Sequence, residues 1–219
     1  MRVAGSPEVL ALHGPDSTSA GEPLVCLGDI PPRQGAAVHW RATPGAATPG
    51  VRTVAPGGGG LWRRAPLPAA DGLFDLADGS LAAGALVAGG DGPAREAAVG
   101  AIRAAGLDAR AVDTVTAEAL AACGVVVVVG EADQPLDRLA FPALAAGRLL
   151  VAPRAAPAFG LLAGIDHLAY GHPEELARLA VAATRFPEAF AMLRGMGRLA
   201  AGAQRASAVL ARVVEGLDR

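Results

Sequence analysis

The longest run of β-branched residues lies in the second half of the chain and predicts a buried strand. Five consecutive valines, Val125–Val129, are closed by Gly130. A short run that is apolar at every position is typical of a strand buried on both faces, as in a parallel sheet. A polar turn, an apolar helical pattern ending at Gly147 and a second apolar run, Leu149–Val151, follow within about thirty residues. This order predicts a β-α-β unit with a right-handed crossover.

The same alternation of apolar runs and helical patterns extends from about Leu81 to the end of the chain. The further predicted strands are Gly84–Ala88, Ala109–Val112 and His167–Tyr170. Helices are predicted over residues 93–105, from Thr114 or Thr116 to Ala122, and in three segments beyond Tyr170, where Phe186, Phe190 and Leu193 carry one apolar repeat. Five β/α repeats with helices on both faces predict an α/β fold, a doubly wound Rossmann-like parallel sheet.

Residues 1–60 follow a different pattern. Short apolar runs alternate with turns rich in proline and glycine, and no amphipathic helix of ten or so residues stands between them. The predicted strands are Val9–Leu12, Leu24–Leu27, Ala37–Trp40 and Val51–Val54. Since parallel strands need long crossovers, we expect a small, irregular, β-rich segment here. The predicted organisation is this segment over 1–60, a linker over 61–80 and the Rossmann-like domain over 81–219.

The amino-acid composition excludes some classes of binding partner and of catalytic residue. The chain has 219 residues, of which 52% are hydrophobic and 18% charged, which is enough for a packed core. A net charge of −2 argues against a nucleic-acid or anionic-membrane partner. All 19 basic residues are arginines. Catalysis by a lysine is therefore excluded.

Cysteine and histidine usage predicts a cytoplasmic protein without a metal site. Cys26 and Cys123 have no metal-like spacing and are expected to be reduced thiols. His167 and His172 lack a third ligand at metal spacing. The chain has no apolar run of about 18 residues, and its first residues lack the core of a signal peptide. We therefore expect no membrane span and no bound metal or cofactor.

Candidate ligand-binding residues follow three predicted strands. In open α/β sheets, ligands bind outside the carboxyl ends of the strands, near the point where strand order reverses. A glycine-rich turn follows the first strand of the domain and allows close approach of a backbone; it contains Gly89, Gly90 and Gly92. Carboxylates that can bind ribose hydroxyls or act as a base follow the valine strand, namely Glu131, Asp133 and Asp137. Arg138 and Arg154 also follow strand ends and can contact a phosphate.

Each of these candidates has an ordinary structural alternative. Gly89–Gly92 reads Gly-Gly-Asp-Gly rather than Gly-x-Gly-x-x-Gly, so it also fits a tight turn between a strand and a helix. The acidic residues fit a solvated turn, and the two arginines fit an exposed surface. The chain has no Gly-x-Ser-x-Gly, which disfavours an α/β-hydrolase.

A series of short motifs toward the C-terminus suggests a family. Phe141–Gly147 reads Phe-Pro-Ala-Leu-Ala-Ala-Gly and precedes the apolar run Leu149–Val151. Further matching positions follow in register: Gly164, Asp166–Tyr170, Glu174–Leu176, Phe186–Glu188, Gly197, Arg198, Arg205 and Arg212. Over about residues 81–217 this order resembles the C-terminal half of GT-B glycosyltransferases, most closely the CgeB-like spore-protein glycosyltransferase family.

The resemblance implies transfer of a sugar from a nucleotide-sugar donor, held by this domain, to an unknown acceptor. It also implies that residues 1–60 are a shortened acceptor-side domain. Two positions that are acidic in this type of enzyme are not acidic in this chain, which has Pro142 and Gln134 there. A proline lacks a carboxylate and an N–H, so we expect the helix to start later or to kink. No catalytic residue is assigned.

Two other functions remain open at this point. A non-catalytic Rossmann-like module for nucleotide binding or protein contact needs no acidic pair, and a homodimer would supply a missing cleft wall. A phospho-receiver-like domain would need an aspartate at the end of the valine strand. The chain has Gly130 and Glu131 there, so we set that class aside.

Overall fold

The computed structural model describes residues 2–5, 24–27, 36–40, 52–54, 69–76, 83–130, 137–154 and 160–215. The N-terminal ranges form a parallel four-stranded sheet in the order β1-β2-β3-β4. Its strands are β1 (Arg2–Gly5), β2 (Leu24–Leu27), β3 (Ala36–Trp40) and β4 (Arg52–Val54). The predicted strand Val9–Leu12 lies outside the described residues.

The second sheet has five parallel strands with helices on both faces. Its strands are β5 (Ala85–Ala88), β6 (Ala109–Ala111), β7 (Val125–Val128), β8 (Leu149–Pro153) and β9 (Leu168–Tyr170). The helices are α1 (Asp71–Phe74), α2 (Gly92–Ala104), α3 (Ala117–Ala121), α4 (Asp137–Ala145), α5 (Pro173–Arg185), α6 (Ala191–Gly202) and α7 (Ala206–Glu215), with a 3-10 turn over Pro187–Phe190. The prediction of an α/β fold with a parallel sheet is confirmed.

Alternate residues of the central strands enter two separate cores. Val126 and Val128 of β7 face the layer that contains α1, α3, α4 and α6. Val125 and Val127 face the layer of α2 and α5. All four side chains are at most 3% exposed. A strand covered on both faces has no position for a polar side chain, which is why this run is apolar at every position.

Glycines end two of the helices as the sequence predicts. Gly106 and Gly147 have positive φ angles of 85° and 68°. After α4, the N–H of Gly147 donates to the Leu144 carbonyl (3.0 Å) and the N–H of Arg148 donates to the Ala143 carbonyl (3.0 Å). This pair of bonds is the Schellman motif, which uses a left-handed residue to satisfy the last carbonyls of a helix.

Pro142 lies inside α4 and does not delay the start of that helix. The helix begins at Asp137, five residues earlier, and continues to Ala145. The expected later start is therefore wrong. Pro142 is buried, between Phe141 and Ala143, which are at most 1% exposed. Apolar packing on this scale can offset the hydrogen bond that a proline removes from a helix.

Residues 69–76, inside the stretch predicted to be a linker, pack against the C-terminal helices. The Ala69 N–H donates to the Gln204 carbonyl (2.8 Å), and the Ala206 N–H donates to the Ala69 carbonyl (2.7 Å). Leu73 and Phe74 of α1 are 1% and 6% exposed. This segment therefore completes the core beside α6 and α7. Among the described residues, no helix is both long and apolar enough to cross a membrane.

Candidate functional site

The order of the five strands reverses between β5 and β7. From β5 the chain passes to β6 on one side and then to β7 on the other, which gives the order β6-β5-β7-β8-β9. Ligands of open α/β sheets bind at the carboxyl ends of the two strands that flank such a reversal. Here these ends are followed by Gly89 and Gly90 on one side and by Val129 and Gly130 on the other.

Gly89 is required by the packing of these two strand ends. Its φ angle is +79°, and a Cβ atom at this position would lie 2.4 Å from the carbonyl oxygen of Val129. Gly90 also has a positive φ angle, +57°, and lies against Val129. Both residues therefore form a tight turn that closes on β7. A tight turn between a strand and a helix therefore explains these two glycines, and no ligand is needed to explain them.

The N-terminus of α2 already holds a carboxylate. The Ala94 N–H donates to Asp91 Oδ1 (2.8 Å), and the Arg95 N–H donates to the Asp91 carbonyl (3.1 Å). Pro93 has no N–H to offer. A phosphate at this helix end would compete with the charge of Asp91. Gly92, the first residue of α2, is therefore poorly placed to help bind one.

Arg95, which sequence reasoning did not single out, fixes the glycine turn. Its Nη1 atom donates to the carbonyls of Gly90 (2.9 Å) and Gly89 (3.2 Å). Its Nη2 atom pairs with the carboxylate of Asp113, which follows β6. One guanidinium thus joins the turns that follow two neighbouring strands. No local pattern signals this role, because Asp113 lies 18 residues further along the chain.

Arg154 lies at the carboxyl end of β8 with an exposed side chain. Its backbone N–H donates to the carbonyl of Tyr170 (2.8 Å). Its guanidinium lies close to Gly171, which follows β9. Arg154 is therefore placed at the same edge of the sheet as the turns after β5 and β7. Since neighbouring strands are about 4.8 Å apart, it lies two strands, or about 10 Å, from β5.

Glu175 caps the start of α5 and faces the charge of Arg154. Its carboxylate accepts a hydrogen bond from the N–H of Gly171 (2.6 Å). That bond, assisted by the positive charge of Arg154, holds the pKa of Glu175 below its usual value. A glutamate at the third position of a helix commonly reaches back in this way, so the sequence Pro173-Glu174-Glu175 is typical of a helix start with such a cap. The N-terminus of α5 is thus also occupied by an acidic side chain.

Tyr170 links β9 to β7 across the intervening strand. Its hydroxyl donates to the carbonyl of Val128 (3.0 Å), 42 residues away in the chain. Burial raises the pKa of Tyr170 to about 12. The phenol therefore remains protonated at neutral pH. It fixes the strand ends rather than acting as an acid or a base.

The acidic candidates are only partly described. Glu131 and Asp133 lie outside the described residues, and Asp137 and Arg138 are the first two residues of α4. Parallel geometry places the start of α4 at the same edge as Arg154, because α4 follows β7 and β8 neighbours β7. The structure thus gathers the start of α4, Arg154 and the glycine turn along one edge.

Metal and thiol chemistry receive no support from the described part of the chain. No group of three histidine, cysteine or acidic side chains within these ranges is placed to hold a metal ion. His167 and His172 flank β9 at opposite edges of the sheet. Cys123 is buried, and burial raises its pKa to about 11, which makes it a poor nucleophile.

Comparison with known proteins assigns no family: no protein-family model matches the chain, and the curated proteins give no match.

Proposed function

We propose that the C-terminal domain is the donor-binding half of a glycosyltransferase-type protein and binds a nucleotide-sugar at the carboxyl edge of its sheet. The reversal of strand order between β5 and β7 carries the ligand-binding part of this proposal, because it is the usual binding position in such sheets. The sugar-transfer part rests on the resemblance of Phe141–Gly147 and the motifs after it.

Acidic side chains at the starts of two helices limit where the diphosphate can bind. The carboxylates of Asp91 and Glu175 accept backbone N–H groups at the starts of α2 and α5. We therefore place the diphosphate above β7 and β8, between the start of α4 and Arg154. The positive end of a helix and a guanidinium both favour a phosphate in such a position. In this arrangement Arg138 and Arg154 bind phosphate, and Glu131, Asp133 and Asp137 are the candidates for the ribose or sugar hydroxyls.

A second candidate function is nucleotide binding without transfer. The resemblance places a donor-binding glutamate at the position of Pro142, and Pro142 is buried inside α4. It offers no carboxylate to a sugar and faces the core rather than the sheet edge. Under this alternative the domain keeps the ligand site but acts in sensing or in contacts with another protein.

Calorimetric titration with UDP, GDP and TDP tests the binding site. We expect micromolar binding of at least one nucleotide by the wild type and at least about tenfold weaker binding by Arg154→Ala, since a guanidinium contact to phosphate is lost. Arg103→Ala is the matched control. Arg103 is exposed near the end of α2 and hence at the opposite edge of the sheet, so this variant should bind like the wild type.

Two results would contradict the placement of this site. One is no binding of any of the three nucleotides at millimolar concentration. The other is equal weakening by Arg154→Ala and Arg103→Ala. If binding follows the prediction, the hydrolysis of matching nucleotide-sugars in water separates the two functions, since a transferase commonly releases some sugar and a pure binding module releases none.

A further inference from the structure

The carboxylate of Glu175 and the guanidinium of Arg154 lie on the same side of the turn that follows β9. A Cβ atom at Gly171 would lie 3.6 Å from Glu175 Oε2, 3.9 Å from Arg154 Nη1 and 4.0 Å from Arg154 Cζ, and these are the nearest atoms beyond the adjacent residues. Arg154 and Gly171 are both exposed to solvent. A phosphate that binds Arg154 therefore also approaches the carboxylate of Glu175.

Backbone hydrogen bonds hold both residues at this turn. The Arg154 N–H donates to the carbonyl of Tyr170 (2.8 Å), and the Gly171 N–H donates to Glu175 Oε2 (2.6 Å). The bond from Gly171, assisted by the charge of Arg154, keeps the pKa of Glu175 below its usual value. Glu175 is therefore ionised at neutral pH, and one negative charge is a fixed feature of the proposed phosphate position.

The two ligands expected at a sugar-transfer site differ in the charge of their diphosphate. The diphosphate of a nucleotide-sugar is esterified at both ends and carries one negative charge on each phosphate group. A free nucleoside diphosphate ends in a phosphate monoester, whose second ionisation has a pKa of about 6, so it carries one more charge at pH 8. An ionised carboxylate beside the diphosphate repels the free nucleoside diphosphate more strongly.

We propose that Glu175 is a specificity-determining residue that favours a nucleotide-sugar over the corresponding nucleoside diphosphate. This inference rests on the donor-binding proposal and deepens it, because these two ligands are the donor and the product of sugar transfer. Arg154 attracts both ligands, and Glu175 disfavours the additional charge of the product. Loss of the sugar then weakens binding of the remaining diphosphate, which assists a release step that limits many enzymes.

The size of the effect follows from Coulomb's law. Two unit charges about 7–10 Å apart in water change an affinity about two- to threefold. This holds at an ionic strength of about 10 mM, where the screening length is about 30 Å, and is lost at about 1 M, where that length is about 3 Å. A role of Glu175 limited to capping α5 depends neither on the charge of the ligand nor on salt.

Calorimetric titration of the wild type and Glu175→Gln at pH 8 tests this inference, with UDP, GDP and TDP each compared with its glucose ester. Glutamine keeps an oxygen that accepts the Gly171 N–H, so the substitution removes the charge and retains the cap. At about 10 mM salt, we expect it to strengthen binding of the nucleoside diphosphate about two- to threefold more than binding of the ester. At about 1 M salt, we expect both affinities to change by the same factor.

Glu188→Gln is the matched control, because it removes the same charge from an exposed position in the 3-10 turn beyond the far end of α5. It should leave both affinities unchanged. If the wild type binds none of the six compounds at millimolar concentration, the donor-binding proposal fails and this inference fails with it.

Three other results would overturn this inference alone, since in each of them the wild type binds. One is an equal change in both affinities by Glu175→Gln at low salt. Another is weaker binding of both ligands by this variant, which a structural role predicts. The third is a difference between the two ligands that persists at about 1 M salt, because a charge effect is screened there.

Discussion

Individual glycines in this domain differ in what they contribute, and the turn after β5 shows the contrast. Gly89 and Gly92 are three residues apart in the same sequence Gly-Gly-Asp-Gly. Gly89 combines a positive φ angle with a contact to the backbone of Val129, whereas a side chain at Gly92 would meet nothing within 4 Å. Composition alone gives these two residues the same description. Only their backbone conformation and surroundings separate them.

We therefore expect opposite effects from two alanine substitutions. Gly89→Ala should destabilise the domain by about 2–4 kcal/mol, because it strains the backbone and pushes a Cβ atom into the Val129 carbonyl. Gly92→Ala should be neutral or stabilising by up to about 1 kcal/mol, because alanine restricts the unfolded chain. Urea unfolding of both variants measures this difference. Equal changes in the two midpoints would show that the turn does not close on β7.

At the scale of secondary-structure elements, single side chains join turns that are distant in sequence. Arg95 on α2 binds the carbonyls of Gly89 and Gly90 and the carboxylate of Asp113. Tyr170 on β9 binds β7. These contacts hold the carboxyl edge of the sheet in a fixed arrangement, which is the condition for a preorganised ligand site.

Arg95→Lys tests this fixation without changing the charge. A lysine ammonium lacks the planar fork that reaches two carbonyls and a carboxylate together, so we expect a loss of about 1–2 kcal/mol in the free energy of unfolding. The control is Arg178→Lys, since Arg178 is exposed on α5 and, among the described residues, donates only to the carbonyl of Glu174 within its own helix. It should change stability by less than about 0.5 kcal/mol. A loss at Arg178 as large as the loss at Arg95 would contradict the linking role.

At the scale of the whole molecule, a buried histidine couples stability to pH. His167 is 4% exposed, and its Nδ1 atom has no hydrogen-bond partner within the described part of the chain. Burial lowers the pKa of His167 below its usual value of 6.5, against a smaller opposing effect of Asp166. As the pH falls, His167 is therefore protonated in the unfolded chain at a higher pH than in the folded chain. Stability contributed by neutral His167 is present above pH 6.5 and is lost on acidification.

The urea concentration at the midpoint of unfolding should therefore decrease when the pH is lowered from 7 to 5. Most carboxylates titrate below this range. His167→Gln should reduce that decrease, because glutamine does not titrate. His172→Gln is the control, as His172 is exposed at the start of α5. The prediction fails if His167→Gln leaves the pH dependence as steep as in the wild type.

Local patterns in the sequence determined the elements of the C-terminal domain. The all-valine run predicted the central strand, and Gly106 and Gly147 marked helix ends that form with positive φ angles. Thr116 was one of two residues, with Thr114, predicted to begin the short helix α3, and its hydroxyl accepts from the Ala119 N–H (3.1 Å). These predictions succeeded because burial on both faces, helix termination and capping depend on residues close together in the chain.

Tertiary packing decided the features that matter most for function. Periodicity does not show which of two apolar stripes of a helix faces inward. In α6 the small residues are inside, because Gly197 must approach Asp166 and Leu144, and the large ones are outside. Phe186 also belongs to a predicted apolar repeat, yet its side chain faces outward and is 63% exposed. Within the C-terminal domain, the sequence by itself determined the strands, the helix ends and the parallel class of the sheet. The order of the strands, the links made by Arg95 and Tyr170 and the exposed face of α6 arise from contacts between distant segments, which only the folded chain brings together.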